Sequence, residues 1–141
     1  MNVTAKTIYC ILAIVELSKA GKGTPLKATT ISKMYDIPKR FLEISLCELK
    51  LSKIVDSKKG ANGGFYLLKN PEEISLYDIV KITESEKEIF NWKKYLSVEK
   101  YGITFLFDKL NSDILTILKD TTFDKILKTL EDDKKILNFI I

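Results

Sequence analysis

Residues 28–68 hold two short helical patterns, a tight turn between them and a glycine-tipped hairpin, in that order. The first pattern spans Ala28 to Tyr35, with Ala28 and Ile31 inward and Met34 as a further candidate. Asp36-Ile37-Pro38 makes the turn, with proline at the first position of the next helix, where its missing N–H is not needed. The second pattern runs from Pro38 to Leu51. Ile54-Val55 and Phe65 to Leu68 have strand composition, and the segment Asp56 to Gly64 joins them with three glycines, which adopt backbone angles other residues resist. Helix, turn, helix and hairpin in this succession are the plan of a winged helix-turn-helix. Such a unit offers one helix to the DNA major groove and a loop to the adjacent backbone.

Plotted at about 100° per residue, Phe41, Leu42, Leu46 and Leu49 share one face of the second helix with Ser45, which predicts the side turned into the core. Arg40, Glu43, Ile44 and Cys47 cluster on the opposite side, flanked by Lys39 and Lys50. Isoleucine and cysteine are out of place on a merely solvated face. They suit a base-reading one, where arginine donates two bonds to guanine, glutamate accepts from the cytosine amino group and isoleucine packs on a thymine methyl. Cys47 has two readings there: a small groove-facing residue, or a thiol whose oxidation would add bulk where DNA approaches.

Charge divides along the chain. Residues 1–70 carry 12 basic and 5 acidic side chains, a net of +7, whereas residues 71–141 carry 11 and 14, a net of −3. The basic half coincides with the helix-turn-helix and hairpin, as an electrostatic footprint for phosphate should, although a lysine-rich chain can reach such a balance by chance. Lys58 and Lys59 sit near the hairpin tip, beside Asn62. A glycine-rich loop after a strand can also cradle a nucleotide, but this one is followed by more strand and lacks Gly-Lys-Ser or Gly-Lys-Thr.

Ahead of this unit, Ile8, Ile11, Leu12 and Val15 predict a core helix from Val3 to Ala20, ended by Gly21-Lys22-Gly23. Glu16 and Lys19 break its resemblance to a signal peptide, and no run reaches the roughly 18 apolar residues a membrane span needs. A cytoplasmic protein without membrane contact is expected. Cys10 and Cys47 are the only cysteines, so a disulfide framework is not expected. Beyond the hairpin, Ser75 caps a fourth helix that turns Ile79, Val80 and Ile82 inward. Residues 84–100 read as a charged connection with an irregular turn around Trp92. A long apolar periodicity follows at Ile103, Leu106, Phe107, Leu110, Ile114, Ile117 and Leu118, more than a small domain should expose. An inter-subunit helix accounts for it, the alternative being a core helix folded back on its own domain. Thr121-Thr122 and Asp124 begin a last helix through Ile126, Leu127 and Leu130, and the apolar end from Ile136 to Ile141 is expected to dock as an edge or tail. The expected fold is thus mainly α: a winged helix-turn-helix domain over residues 1–83 with a two-stranded β wing, then a connection, long dimerisation helix and tail over 84–141.

Thr4 and Tyr9, Phe41-Leu42-Glu43 with Leu46 and Leu49, the wing from Ser57 to Phe65, Pro71 to Leu76, and Thr121-Thr122-Phe123 together resemble the IscR, NsrR and CymR family of bacterial repressors, the Rrf-two family. The likeness covers nearly the whole chain. It implies a homodimer with crossing long helices that binds palindromic operators in double-stranded DNA and represses transcription. The outward face of the second helix and the basic hairpin tip make Lys39, Arg40, Glu43, Ile44, Cys47, Lys58, Lys59 and Asn62 the expected DNA contacts. Where many members carry arginine in the wing this chain has Lys59, which favours a plain phosphate contact. Cluster-binding members hold an iron–sulfur cluster with three closely spaced cysteines before the dimerisation helix. The matching stretch here, residues 84–101, has none, and the chain has no histidine. No cofactor or metal is therefore expected, as in the cluster-free CymR type, in which a partner protein or small metabolite sets DNA affinity.

The same fold class also contains docking modules that have lost DNA binding, and the acidic half offers a surface for that. The alignment of Lys39, Arg40, Lys58 and Lys59 along one side argues against it. An enzyme is the weakest reading: no usual nucleophile or acid–base constellation can be assembled.

Overall fold

The computed structural model describes residues 3–85, 88–97 and 101–140, apart from the side chains of residues 101 and 140. The chain begins with α1 (Ala5–Ala20), α2 (Ala28–Tyr35) and α3 (Lys39–Leu51). The strands β1 (Val55–Lys58) and β2 (Gly64–Leu67) pair antiparallel, with Val55 opposite Leu67 and Lys58 opposite Gly64. After a 3₁₀ turn at Pro71–Glu73 come α4 (Leu76–Thr83), a second 3₁₀ turn at Trp92–Lys94, α5 (Tyr101–Asp120) and α6 (Phe123–Ile140). This is the mainly helical winged helix-turn-helix with a two-stranded wing that the sequence predicts.

The core is built around α1, against which α2, α3, α4, α6 and β2 all pack. Thr4 caps its start, its hydroxyl accepting from the Thr7 N–H, and Gly21 ends it at φ +92°. The deepest face differs from the one expected. Thr7, Cys10, Ala13, Ile14 and Leu17 are fully buried, while Ile8 is 44% exposed and Ile11 and Leu12 are half-buried. Small side chains at 7, 10 and 13 let neighbouring helices approach closely, so the innermost side is not the one richest in large aliphatics.

Two further apolar residues expected in the core lie outside it. Phe41, expected in the core, is 54% exposed, because it lies about 90° round the helix from the centre of the Leu42, Ser45, Leu46 and Leu49 face. Met34 is also exposed, leaving Ala28 and Ile31 as the buried residues of α2. Pro38 stands just before α3 rather than at its first position.

Ser75 caps α4 through a reciprocal pair: the Asp78 N–H donates to its hydroxyl at 3.3 Å and its own N–H donates to Asp78 Oδ2 at 2.9 Å. The α5–α6 corner is clipped to this point, with the Leu76 N–H on the Thr121 carbonyl and the Phe123 N–H on the Ile74 carbonyl, both at 2.9 Å. That clip delivers Phe123 into the core, fully buried. Among the described residues, the apolar end of the chain does not fold back on the rest of the chain as an edge or tail. It continues α6, with Ile136, Leu137 and Phe139 exposed; residue 141 lies outside the described residues. The charged connection is described at 84–85 and 88–97, where a single 3₁₀ turn starts at Trp92, and residues 86, 87 and 98–100 lie outside.

Phe123 fills space that no neighbour can reclaim without moving α1. Phe123→Ala should lower unfolding free energy by about 3–5 kcal/mol in urea titrations, whereas truncating exposed Phe139 should change it by less than about 0.5 kcal/mol.

Candidate nucleic-acid interface

Buried Leu42, Leu46 and Leu49 fix the rotation of α3 about its axis, and the opposite face is thereby presented outward. Lys39, Arg40, Glu43, Ile44, Cys47 and Lys50 are all exposed on it. The turn before α3 is rigid: Asp36 adopts a left-handed conformation at φ +52°, the Ile37 N–H donates to the Ser32 carbonyl, and the Ser32 hydroxyl donates to the Ile37 carbonyl at 2.5 Å. Lys39 Nζ lies 3.6 Å from Glu43 Oε1, one turn away on the open face. Arg40 has no carboxylate partner among the described residues.

Lys50 has a different role from that of a flanking cation. Its Nζ donates to the Ser57 hydroxyl at 2.6 Å and stands 3.3 Å from Asp56 Oδ1, tying the end of α3 to the first strand of the wing. The Ser57 N–H and Lys50 together hold the Asp56 carboxyl below the usual carboxylate range.

The wing turns tightly between Lys58 and Gly64, leaving a loop over residues 59–63 that is shorter than the sequence suggested because β1 reaches Lys58. Gly60 stands at φ +107° and Gly64 at φ +141°. A Cβ at Gly63 would fall 2.1 Å from the Lys58 carbonyl oxygen. Lys58, Lys59 and Asn62 are exposed at this tip, and neither lysine has an acidic partner among the described residues.

One support is invisible in the local sequence pattern. Leu26 pairs with Phe65 through two backbone bonds of 2.8 Å, and the Gly23 N–H donates to the Leu67 carbonyl at 3.0 Å, so the segment before α2 acts as a third strand under the wing. It brings exposed Lys27 and half-buried Thr29 to a groove with Lys39, Glu43, Gly60, Gly63, Gly64 and Phe65. Sequence reasoning misses Lys27 because it lies outside both helical patterns; its signal is its place in the basic half, just before α2. The groove and the outer face of α3 form one continuous basic surface, suited to phosphate at its rim and to base edges along the helix.

The apolar residues of α5 divide between two sides. Phe107 stacks on Phe90, ring centroids 5.4 Å apart, and Asn111 is buried beneath, exchanging two 3.0 Å bonds with the Phe90 backbone. Leu118 is half-buried. Ile103, Leu106 and Ile117, each at least 50% exposed, line the other side with the partly exposed Leu110 and Ile114. Phe105, 72% exposed, lies apart from that stripe.

The two cysteines do not suit the role of cluster ligands. Cys10 is fully buried, its thiol facing the Ser45 carbonyl at 3.8 Å, and burial pushes it up to about 12, far from the thiolate that metals take. Cys47 is on the exposed face of α3. No cysteine or histidine stands between α4 and α5 to complete a set.

A protein-family model described as Rrf2, iron-dependent transcriptional regulator, matches residues 3–129. The HTH-type transcriptional regulator NsrR of Bacillus licheniformis is 26% identical over 143 aligned residues, covering 98% of this chain and all of that protein. CymR of Bacillus subtilis, an HTH-type transcriptional regulator, is 22% identical over the full length of both. The solved structure of CymR, the global cysteine regulator of B. subtilis, superposes with a TM-score of 0.79 over 92% of this chain and 98% of that one at 20% identity. T. potens IscR matches with a TM-score of 0.75 over 94% and 90% at 25% identity.

In the native protein a thiol reagent should modify one cysteine, Cys47, within minutes, and Cys10 only on unfolding. Mass spectrometry of the labelled peptides checks this; rapid labelling of Cys10 would mean that α1 opens from the core.

Proposed function

The chain belongs to the Rrf2 family of transcriptional regulators, and from that membership we propose that it is a cluster-free repressor acting in the cytoplasm as a homodimer on palindromic operators. What carries the reading is the single outward face on which Arg40, Glu43, Ile44 and Cys47 lie beside the wing lysines Lys58 and Lys59. Arg40 and Glu43 read base edges, Ile44 and Cys47 pack in the groove, and Lys39, Lys58, Lys59 and Asn62 hold the backbone. Lys27, at the mouth of the same groove, joins the phosphate contacts. Lys50 does not join them, because it braces the wing.

A homodimer is supported by the exposed stripe of Ile103, Leu106, Leu110, Ile114 and Ile117, with Phe107 and Leu118 closing the inner edge of the seam against their own subunit. Crossing helices around a two-fold axis place two recognition helices on half-sites about one helical turn apart, which makes the operator palindromic. Absence of a cluster follows from the donor set, and a partner protein or small metabolite then sets DNA affinity.

Base reading and backbone contact separate in an operator panel. Arg40→Ala or Glu43→Ala should cost about 1–3 kcal/mol at the preferred operator and relax preference at one base pair per half-site. Lys58→Ala or Lys59→Ala should weaken all sequences alike and flatten the salt slope by about 0.9 for each phosphate that is no longer neutralised. Were Lys59→Ala to change sequence preference while Arg40→Ala and Glu43→Ala left it intact, α3 would not be the reader. If the protein bound no DNA at low salt, a docking module would replace the repressor.

Leu106→Glu puts a charge on a half-exposed seam position and should leave the subunit folded. Sedimentation should show monomers, with operator binding weakened. A variant that stays dimeric would move the seam elsewhere.

A further inference from the structure

Phe41 is a large apolar side chain left 54% exposed in the leading turn of α3, two residues after the helix begins. Residues at the N-terminal end of a recognition helix are the ones that reach base edges. Round the helix, at about 100° per residue, the exposed side chains follow in the order Glu43, Arg40, Ile44, Phe41, each roughly 40–60° beyond the last. Phe41 thus extends the outward face without a break. On this side the face turns from charged to apolar, since Ile44 is itself 46% exposed.

Beyond the pair lies a cleft of about 220 Å³ between α3 and the first turns of α1, lined by Ala5, Lys6, Tyr9, Phe41, Ile44 and Ser45. Two of its polar side chains are already engaged. The Ser45 hydroxyl donates to the Phe41 carbonyl at 3.0 Å, and Lys6 Nζ pairs with Glu48 Oε1 at 3.2 Å. A base edge presented to Phe41 and Ile44 therefore finds carbon, where Arg40 and Glu43 next to them offer hydrogen bonds. An amino or carbonyl group pressed there would give up water with nothing in return, whereas a methyl group gains by burial.

We propose that Phe41 is a specificity-determining residue that, together with Ile44, reads the 5-methyl group of one thymine in each half-site. Thymine is the base that carries a methyl into the major groove, beside its O4 acceptor; cytosine brings an amino group instead. The methyl rests between the Phe41 ring and the Ile44 side chain, and the adjacent base pair faces Arg40. Preference for thymine at this position comes from burial rather than from charge. It should vanish when the methyl is removed and persist when salt is raised. The inference rests on the DNA-binding reading above and names a base for it.

The test uses the full chain and the duplex that it selects from a randomised pool. Each thymine is replaced in turn by deoxyuridine, which removes the methyl and leaves every hydrogen-bonding group in place. At one thymine per half-site the wild type should bind about fourfold more weakly, the gain from burying one methyl group. That ratio should hold at rising salt while all affinities fall. Phe41→Ala should bind the thymine and deoxyuridine duplexes alike. Phe41→Leu, which keeps an apolar branch, should retain part of the discrimination, and both variants should unfold thermally close to the wild type.

The inference is overturned if deoxyuridine is tolerated at every position, or if Phe41→Ala keeps the full thymine preference. It is equally overturned if the preference is lost in Ile44→Ala and survives in Phe41→Ala, because Ile44 would then read the methyl alone. Binding that depends on Arg40 but ignores deoxyuridine would remove this inference and leave the regulator standing. Absence of any DNA binding at low salt would remove both.

Discussion

Enclosure of α1 is the constraint from which the other elements take their places. Five elements pack on it, so the polar groups it carries inward are met by partners within the protein, the Ser18 hydroxyl excepted. Thr7 bonds the Thr83 hydroxyl at 2.7 Å and donates to Glu84, and Glu84 also accepts from the Thr4 N–H at 2.9 Å and the Thr4 hydroxyl at 3.0 Å. The carboxylate that ends α4 therefore sits over the start of α1, where the helix dipole favours negative charge. Burial works against that charge, but the bonds from Thr4 and Thr7, with Lys6 nearby, hold Glu84 below the usual carboxylate range. At the other end Glu16 accepts from Lys19 at 2.8 Å and from the Tyr35 hydroxyl, joining α1 to α2, while burial and this carboxylate push the Tyr35 phenol up to about 12.

A central helix of this kind makes the recognition helix part of the core rather than an appendage. Leu42, Leu46 and Leu49 are fully buried, the Cys10 thiol meets the Ser45 carbonyl, and Lys6 meets Glu48. With Lys50 holding β1 and Leu26 holding β2, the wing and α3 form one body. Partners on this surface meet a fixed shape. Any adjustment must come from the partner.

Local signals were legible in the sequence wherever one residue sets the geometry. Gly21 ends α1, Ser75 starts α4, Asp36 turns between α2 and α3, and the wing glycines shape the hairpin, all within a residue or two of expectation. What the sequence hid depends on partners distant along the chain. A helix buried on most of its circumference has no single apolar face to find, so Thr7 and Ala13 outrank Ile8 for depth. Phe41 is hydrophobic but stands at the edge of the apolar face of α3, and the packing of α1 on the centre of that face leaves it exposed. The Leu26–Phe65 pairing and the burial of Phe123 join segments nearly forty and more than a hundred residues from the elements they complete. On the candidate interface the residue types and their common face could be read in advance; the diversion of Lys50 and the arrival of Lys27 could not.

The wing has a consequence for how much of this surface is free to vary. Gly63 meets the Lys58 carbonyl and Gly64 the Leu26 carbonyl so closely that a methyl group at either would displace backbone, and Gly60 holds an angle that side chains rarely accept. Ser57 and Asp56 are committed to Lys50. The interchangeable positions reduce to Lys58, Lys59, Ala61 and Asn62. In a library randomised across residues 56–64, survivors should therefore differ in those few side chains alone, whereas the outer face of α3, supported from beneath by its leucines, is free to vary more widely.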